Sequence, residues 1–96
     1  MDYRVTFSKR ALRELTSIVK FIAKDNPDAA RELGEKLLDQ AISLSHFPSR
    51  HTRHDNRNRV RKMPATPYLI YYSINENTHV VTILHFWHSA RQNPIP

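Results

Sequence analysis

A run of basic residues in the second half of the chain is the strongest signal of chemistry in the sequence. Between positions 50 and 62 it carries six permanent cations and one carboxylate, Asp55. Cations at this density attract phosphates or acidic peptides, and they repel one another without a partner. We predict a surface that binds nucleic acid or an acidic protein; the alternative is a solvated loop that keeps a small protein soluble. The cations are Arg50, Arg53, Arg57, Arg59, Arg61 and Lys62.

A second candidate is the group His85, His88 and Arg91 near the end of the chain. Imidazole exchanges protons near neutral pH, and arginine can stabilise a charged phosphorane, so such a group could cleave RNA without a metal. Alternation along a strand places His85 on the face opposite Phe86 and His88, unless the strand bulges between the histidines. We therefore favour a structural or surface role for His85.

The remaining residue types exclude several other sites. The chain has no cysteine, which rules out disulfides and thiolate metal ligands, and its single glycine rules out a glycine-rich phosphate loop. His51 and His54 lack a third ligand at metal-binding spacing. We predict no metal and no cofactor. Most aromatic residues near the end of the chain are expected in the core, whereas Trp87 lies close to the predicted sheet edge.

Length and charge narrow the class of protein. With 96 residues the chain has room for one domain, residues 1–96, and one modest core. Its net charge of +6 favours an anionic partner. It has no secretory signal and no apolar run of membrane-spanning length, so we expect a soluble cytoplasmic protein that does not bind membranes.

The elements that must position these residues follow from hydrophobic spacing. The period of two at the start predicts a strand, and two amphipathic segments predict helices joined by a short turn, in which Asn26 caps the second helix. So short a turn makes the helices an antiparallel hairpin. The predicted bounds are Tyr3–Phe7 for the strand, about Ser8–Lys24 for the first helix, and Pro27 to near His46 for the second.

The second half of the chain reads as a loop followed by strands. Ser49 to Asn58 has no periodicity, and the next segments are rich in β-branched and aromatic residues. We predict an α+β fold with two layers, in which the N-terminal strand and the helical hairpin pack on a small antiparallel sheet. The later strands are predicted at Val60–Met63, Tyr68–Ile74 and Thr78–Trp87, with a turn at Asn75–Asn77 before the last.

Several segments, in a fixed order and spacing, together resemble a known family, although none is decisive alone. They cover nearly the whole chain. They are Tyr3 to Phe7 with Ser8; Leu12, Leu15 and Ile22-Ala23; Asn26-Pro27-Asp28-Ala29-Ala30; Phe47-Pro48; Tyr68 to Tyr72; and Val81 to Arg91, ending in His88-Ser89-Ala90-Arg91.

This pattern resembles the RelE/ParE superfamily of toxins from bacterial type II toxin–antitoxin systems. The resemblance implies growth inhibition, a role in plasmid stabilisation, and neutralisation by a cognate acidic antitoxin that covers the basic residues. ParE-like members bind and poison DNA gyrase, whereas RelE-like members are ribosome-dependent mRNA endonucleases. The long helical hairpin, the closing His88 to Arg91 segment, and the absence of Lys and Arg between Met63 and Ala90 look more like ParE.

Two alternatives stay open beside the ParE-like hypothesis, so the sequence leaves undecided whether the protein is an enzyme. In a RelE-like nuclease, His88 would take the 2′-hydroxyl proton, Arg61 would stabilise the phosphorane and Arg91 would orient the scissile group. In the other alternative, the protein is a non-toxic basic binding module.

Overall fold

The computed structural model describes residues 2–51, 53 and 59–91. The chain begins with a short strand, continues through two helices and ends with three strands, and two 3-10 turns at Ser43–Ser45 and Pro48–Arg50 follow the second helix. The elements are β1 (Arg4–Phe7), α1 (Lys9–Ala23), α2 (Pro27–Ile42), β2 (Val60–Ala65), β3 (Tyr68–Asn75) and β4 (Val80–His88).

Side-chain caps fix the start of both helices where the sequence predicts them. The Ser8 hydroxyl accepts a hydrogen bond from the amide of Ala11 at 3.0 Å, and the Asn26 side chain accepts one from Ala29 at 3.0 Å. Pro27 occupies the first turn of α2, where its missing N–H costs nothing. The predicted helix starts are therefore confirmed.

The second helix ends four residues earlier than predicted, at Ile42 rather than near His46. The Ser43 hydroxyl donates to the carbonyl of Gln40 at 2.5 Å, and the Arg50 guanidinium donates to the carbonyls of Ser43 and His46. These bonds satisfy the terminal carbonyls from outside the helix, so the chain tightens into a 3-10 turn.

The four strands form a sheet in the order β1-β4-β3-β2. The β2–β3 and β3–β4 pairs are antiparallel as predicted, and β1 runs parallel to β4, which makes the sheet mixed. Pairing of β1 ends at Phe7↔Ile83, so the last five residues of β4 extend beyond it.

Strand ends also differ from the sequence prediction. β2 continues through Pro64 to Ala65, because an edge strand tolerates a residue without an N–H. β4 begins at Val80 rather than Thr78, because the predicted turn extends to His79, where φ is 56°. The Asn75 side chain closes that turn by accepting from the amides of Asn77 and Thr78.

The core lies between the two helices and one face of the sheet, which confirms the two-layer α+β class. Gly34 allows the helices to approach closely, since a Cβ there would lie 3.1 Å from Val19 Cγ2. The largest fully buried side chains are Tyr72, Phe86, Leu37, Leu44, Ile70, Ile83 and Val81.

Candidate binding groove

An open groove of about 950 Å³ runs between α1 and the part of β4 that β1 does not reach. Its floor and walls are largely apolar, formed by aromatic residues of β3 and β4 and two residues of α1. These apolar residues are Ile18, Phe21, Tyr68, Phe86 and Trp87. We call this surface the α1–β4 groove.

Basic side chains surround the apolar part of the α1–β4 groove. Arg10 and Arg13 enter from α1, and His88 and Arg91 enter from the end of β4 and the turn after it. Among the described residues, no carboxylate lies within salt-bridge distance of the three arginines. The groove can therefore attract a partner that carries both apolar and acidic side chains.

Helical spacing explains why one helix contributes both kinds of residue. Arg10, Arg13, Ser17 and Phe21 recur three or four positions apart, which places them along one face of α1. Phe21 is 69% exposed, and the ammonium of Lys24 lies 5.9 Å from the centre of its ring. A large apolar side chain is thus held at the rim of the groove.

The turn after β4 fixes the positions of His88 and Arg91. The amide of Arg91 donates to the carbonyl of His88 at 3.0 Å, and the guanidinium carbon of Arg91 lies 4.3 Å from the centre of the Trp87 ring. The amide of Ala90 donates to His88 Nδ1 at 3.0 Å. Since Nδ1 accepts, the ring proton of neutral His88 is on Nε2, and its outer nitrogen donates rather than accepts.

The carboxylate in the groove, that of Glu14, is already engaged by the protein. It accepts from His85 Nδ1 at 3.1 Å and from the amide of Phe86 at 3.3 Å. The pairing of Glu14 with His85 was not predicted from the sequence. A signal was present, because Glu14 lies between Ala11 and Ile18 at helical spacing and so borders the buried face of α1.

The register of β4 places His85 and His88 on opposite faces of the sheet, as predicted. A bulge does occur, but it falls between the pairs Tyr72↔Ile83 and Tyr71↔His85, before both histidines. His85 therefore shares a face with Tyr71, and its ring lies edge-on to those of Tyr71 and Trp87. His88 instead lies edge-on to Tyr68, with 5.2 Å between ring centres.

Two of the six predicted binding cations hold the backbone. Arg50 donates to the carbonyls of Ser43 and His46, and Arg61 donates to the carbonyls of Ser49 and His51, at 3.3 and 2.7 Å. Internal hydrogen bonds thus fix both guanidinium groups.

The other four predicted cations differ in exposure. Arg53 and Arg59 are exposed, and Lys62 is half-buried opposite Tyr71. Arg57 lies outside the described residues, together with the rest of positions 54–58 and Thr52 of the predicted loop. Within the described part of the segment, Arg53 and Arg59 are thus the cations most open to a partner.

The structure brings His88 and Arg91 together but places Arg61 far from them. Arg61 lies in register with Tyr72 and Ile83, whereas His88 lies five residues further along β4. Two strand spacings and this offset separate the backbones of Arg61 and His88 by about 18 Å. The Arg61 guanidinium is held at the carbonyls of Ser49 and His51, so this arrangement does not place Arg61, His88 and Arg91 around one phosphate.

Among the described residues, no group of three histidine, aspartate or glutamate side chains could hold a metal ion. Neither helix has both the length and the apolar character needed to cross a bilayer.

Comparison with known proteins gives consistent matches. Residues 5–93 match the family model described as the ParE toxin of the type II toxin–antitoxin system parDE. The chain is 30% identical over 83 residues to Y4kP of Sinorhizobium fredii, whose name describes it as a candidate toxin; the match covers 85% of this chain and 86% of that protein.

Solved structures share the fold. A chain of the chromosomal ParDE toxin–antitoxin system of P. aeruginosa superposes with a TM-score of 0.76 at 14% identity, covering 90% of this chain and 95% of that one. A chain of the RelBE2 toxin–antitoxin complex of Mycobacterium tuberculosis gives a TM-score of 0.68 at 22% identity, covering 92% and 99%.

Proposed function

Because the chain belongs to the ParE toxin family of type II toxin–antitoxin systems, we propose that it arrests growth by binding DNA gyrase and that a cognate antitoxin neutralises it. The observation that carries the choice of gyrase is the match to the ParE model over residues 5–93. The resemblance of the sequence to ParE-like gyrase poisons points the same way.

The arrangement of the predicted nuclease residues supports a binding mechanism over cleavage. Arg61 is bonded to the backbone carbonyls of Ser49 and His51, about 18 Å from His88. His88 uses Nδ1 to accept from Ala90, so it presents a donor where a general base would need an acceptor.

The α1–β4 groove is the proposed antitoxin site. Its apolar floor and its arginines suit a segment with apolar side chains on one side and carboxylates on the other. Of the six cations from the sequence analysis, the exposed Arg53 and Arg59 lie beside β2, two strands away from β4, so they are proposed to contact a part of the antitoxin outside the groove. An acidic antitoxin that is partly disordered alone would order on binding.

The RelE-like alternative, an mRNA endonuclease, keeps one supporting observation. His88 and Arg91 line the same groove and could face one substrate together. In that mechanism His88→Ala would abolish cleavage of ribosome-bound message without unfolding the protein. In the gyrase mechanism, message instead stays intact when either the wild type or His88→Ala is expressed.

Expression of the chain from an inducible promoter tests the proposal. We expect growth arrest, double-strand DNA breaks and a DNA-damage response, with message intact, and rescue by co-expression of the adjacent reading frame. Arrest with cleaved message and undamaged DNA would favour the nuclease. Harmless expression of folded protein that still binds the antitoxin would indicate the non-toxic binding module.

A further inference from the structure

Phe47 combines two features that are each unfavourable for a large aromatic residue. Its side chain is 82% exposed, the largest exposure among the exposed large apolar side chains of the described residues. Its backbone has φ 46° and ψ 57°, the left-handed region in which a Cβ crowds the following carbonyl. Glycine or asparagine would occupy this position at lower cost. Neither folding nor core packing explains a phenylalanine here.

The turn that carries Phe47 is fixed from the sheet side. Pro48 is buried, and the hydroxyl of the fully buried Tyr72 donates to its carbonyl. Arg61 on β2 donates to the carbonyls of Ser49 and His51. The segment directly after Phe47 is therefore held by two strands of the sheet.

The same turn is fixed from the helix side. The amide of Arg50 donates to the carbonyl of Phe47 at 3.0 Å. The Arg50 guanidinium reaches back to the Ser43 hydroxyl at 2.9 Å and to the carbonyl of His46. Hydrogen bonds on both sides hold the unfavourable backbone of Phe47, so its ring is presented in a preorganised position.

We propose that Phe47 is the anchor of a second protein-binding surface, by which the toxin engages an apolar pocket with an acidic rim on its cellular target. This inference rests on the proposed function, toxicity through binding a protein. The surface is separate from the α1–β4 groove, because Tyr72, which holds the Phe47 turn, lies four residues, about 13 Å, along β3 from Tyr68 in the groove. Aromatic anchors of this kind dominate protein interfaces when they fill a pocket.

The contacts of the neighbouring arginines favour a protein over a single-stranded nucleic acid. Proteins that bind single-stranded nucleic acid combine aromatic rings, on which the bases stack, with cations placed along the phosphates. Arg50 and Arg61 instead direct guanidinium donors at backbone carbonyls. Phe47 therefore projects as an apolar group, which suits an apolar pocket of a protein, and the net charge of +6 favours acidic residues around that pocket.

Phe47→Gly tests the inference, because glycine adopts the left-handed conformation without strain and folding is expected to persist. We expect at least a tenfold rise in colony survival on induction, with antitoxin affinity within twofold of wild type and an unchanged far-UV spectrum. Phe47→Asn, which also tolerates this backbone, should behave in the same way. Leu12→Ala is the matched control: Leu12 is 48% exposed on α1, and its loss should leave survival unchanged.

Four results would overturn the inference. A Phe47→Gly protein as toxic as wild type would show that the target does not use this ring. Lost antitoxin affinity with full toxicity would assign Phe47 to the antitoxin surface, and lost binding of a single-stranded oligonucleotide would assign it to nucleic acid. If the wild-type chain were not toxic, both the proposed function and this inference would be refuted. If the wild-type chain and the Phe47→Gly variant were equally toxic, only this inference would be refuted.

Discussion

The carboxylate of Glu14 on α1 holds the imidazole of His85 on β4, with Nδ1 lying 3.1 Å from Oε1 and 3.2 Å from Oε2. Both side chains are largely removed from solvent, with 18% of Glu14 and 10% of His85 exposed. The same carboxylate accepts from the amide of Phe86, beyond the last residue that β1 pairs. Glu14 thus replaces a missing neighbouring strand and joins the two walls of the α1–β4 groove.

Removing this carboxylate should destabilise the protein. Glu14→Ala leaves the His85 Nδ1 donor and the Phe86 amide without their acceptor, so we expect the free energy of unfolding to fall by about 2–4 kcal/mol. Glu14→Gln keeps one acceptor oxygen and should lose about 1 kcal/mol. Urea denaturation measures both. Glu35→Ala, at an exposed position on α2, should change stability by less than about 0.5 kcal/mol, and an equal loss there would refute the role of Glu14.

Tyr72 should limit stability at alkaline pH. Burial raises the pKa of its hydroxyl from 10.0 to about 12, although the charges of Arg61 and Arg50 oppose the shift. As the pH rises, the unfolded chain loses this proton before the folded chain does. The contribution of the Tyr72 hydroxyl to the free energy of unfolding is therefore full below pH 10 and declines as the pH rises toward 12. Tyr72→Phe should lack this part of the decline. Because it also leaves the Pro48 carbonyl without its donor, it should be about 1–3 kcal/mol less stable at neutral pH.

His51 should act at the opposite end of the pH range. Desolvation, followed by the charge of Arg50, lowers the pKa of its imidazole below the ordinary 6.5. The unfolded chain binds this proton first as the pH falls, so stability is lost from pH 6.5 down to the folded-state pKa. His51→Asn removes the titration but leaves the backbone carbonyl that Arg61 uses. The thermal midpoint of His51→Asn should fall less than that of the wild type when the pH is lowered from about 7.5 to 5. Equal falls in the two midpoints would contradict the role of His51 in the acid decline.

The α1–β4 groove makes a prediction about charge. Arg13→Glu should weaken the antitoxin complex about 5- to 30-fold, equivalent to about 1–2 kcal/mol, with the larger effect at low salt. Lys36→Glu makes the same change of charge at an exposed site on α2, outside the groove, and should have little effect. Titration calorimetry at two salt concentrations compares them. Equal losses would mean that the antitoxin responds only to net charge.

Local patterns in the sequence predict the elements well. The capping residues Ser8 and Asn26 and the alternation in β1 depend on neighbours along the chain, so the helix starts and the class of fold follow from them. The early end of α2 could not be predicted from local patterns, because it depends on a hydrogen bond from Arg50, which lies seven residues beyond Ser43. Pairing of β1 with β4 joins the two ends of the chain and likewise has no local signal.

The candidate site was predicted less well, for the same physical reason. The sequence groups Arg50 and Arg61 as free cations, but both bond to carbonyls that approach only in the folded chain. The α1–β4 groove depends on the pairing of β1 with β4, which joins residues about 76 positions apart and has no local signal. His88 and Arg91 were identified because they lie three residues apart, within one turn.

The most direct test of the account is the supercoiling of relaxed plasmid by purified gyrase in the presence of this protein. We predict that the wild-type chain inhibits supercoiling or causes cleaved DNA to accumulate, that prior addition of antitoxin prevents this, and that Phe47→Gly does not inhibit. Full supercoiling at a large molar excess of folded wild-type protein, with cleavage of ribosome-bound message in a parallel reaction, would contradict it.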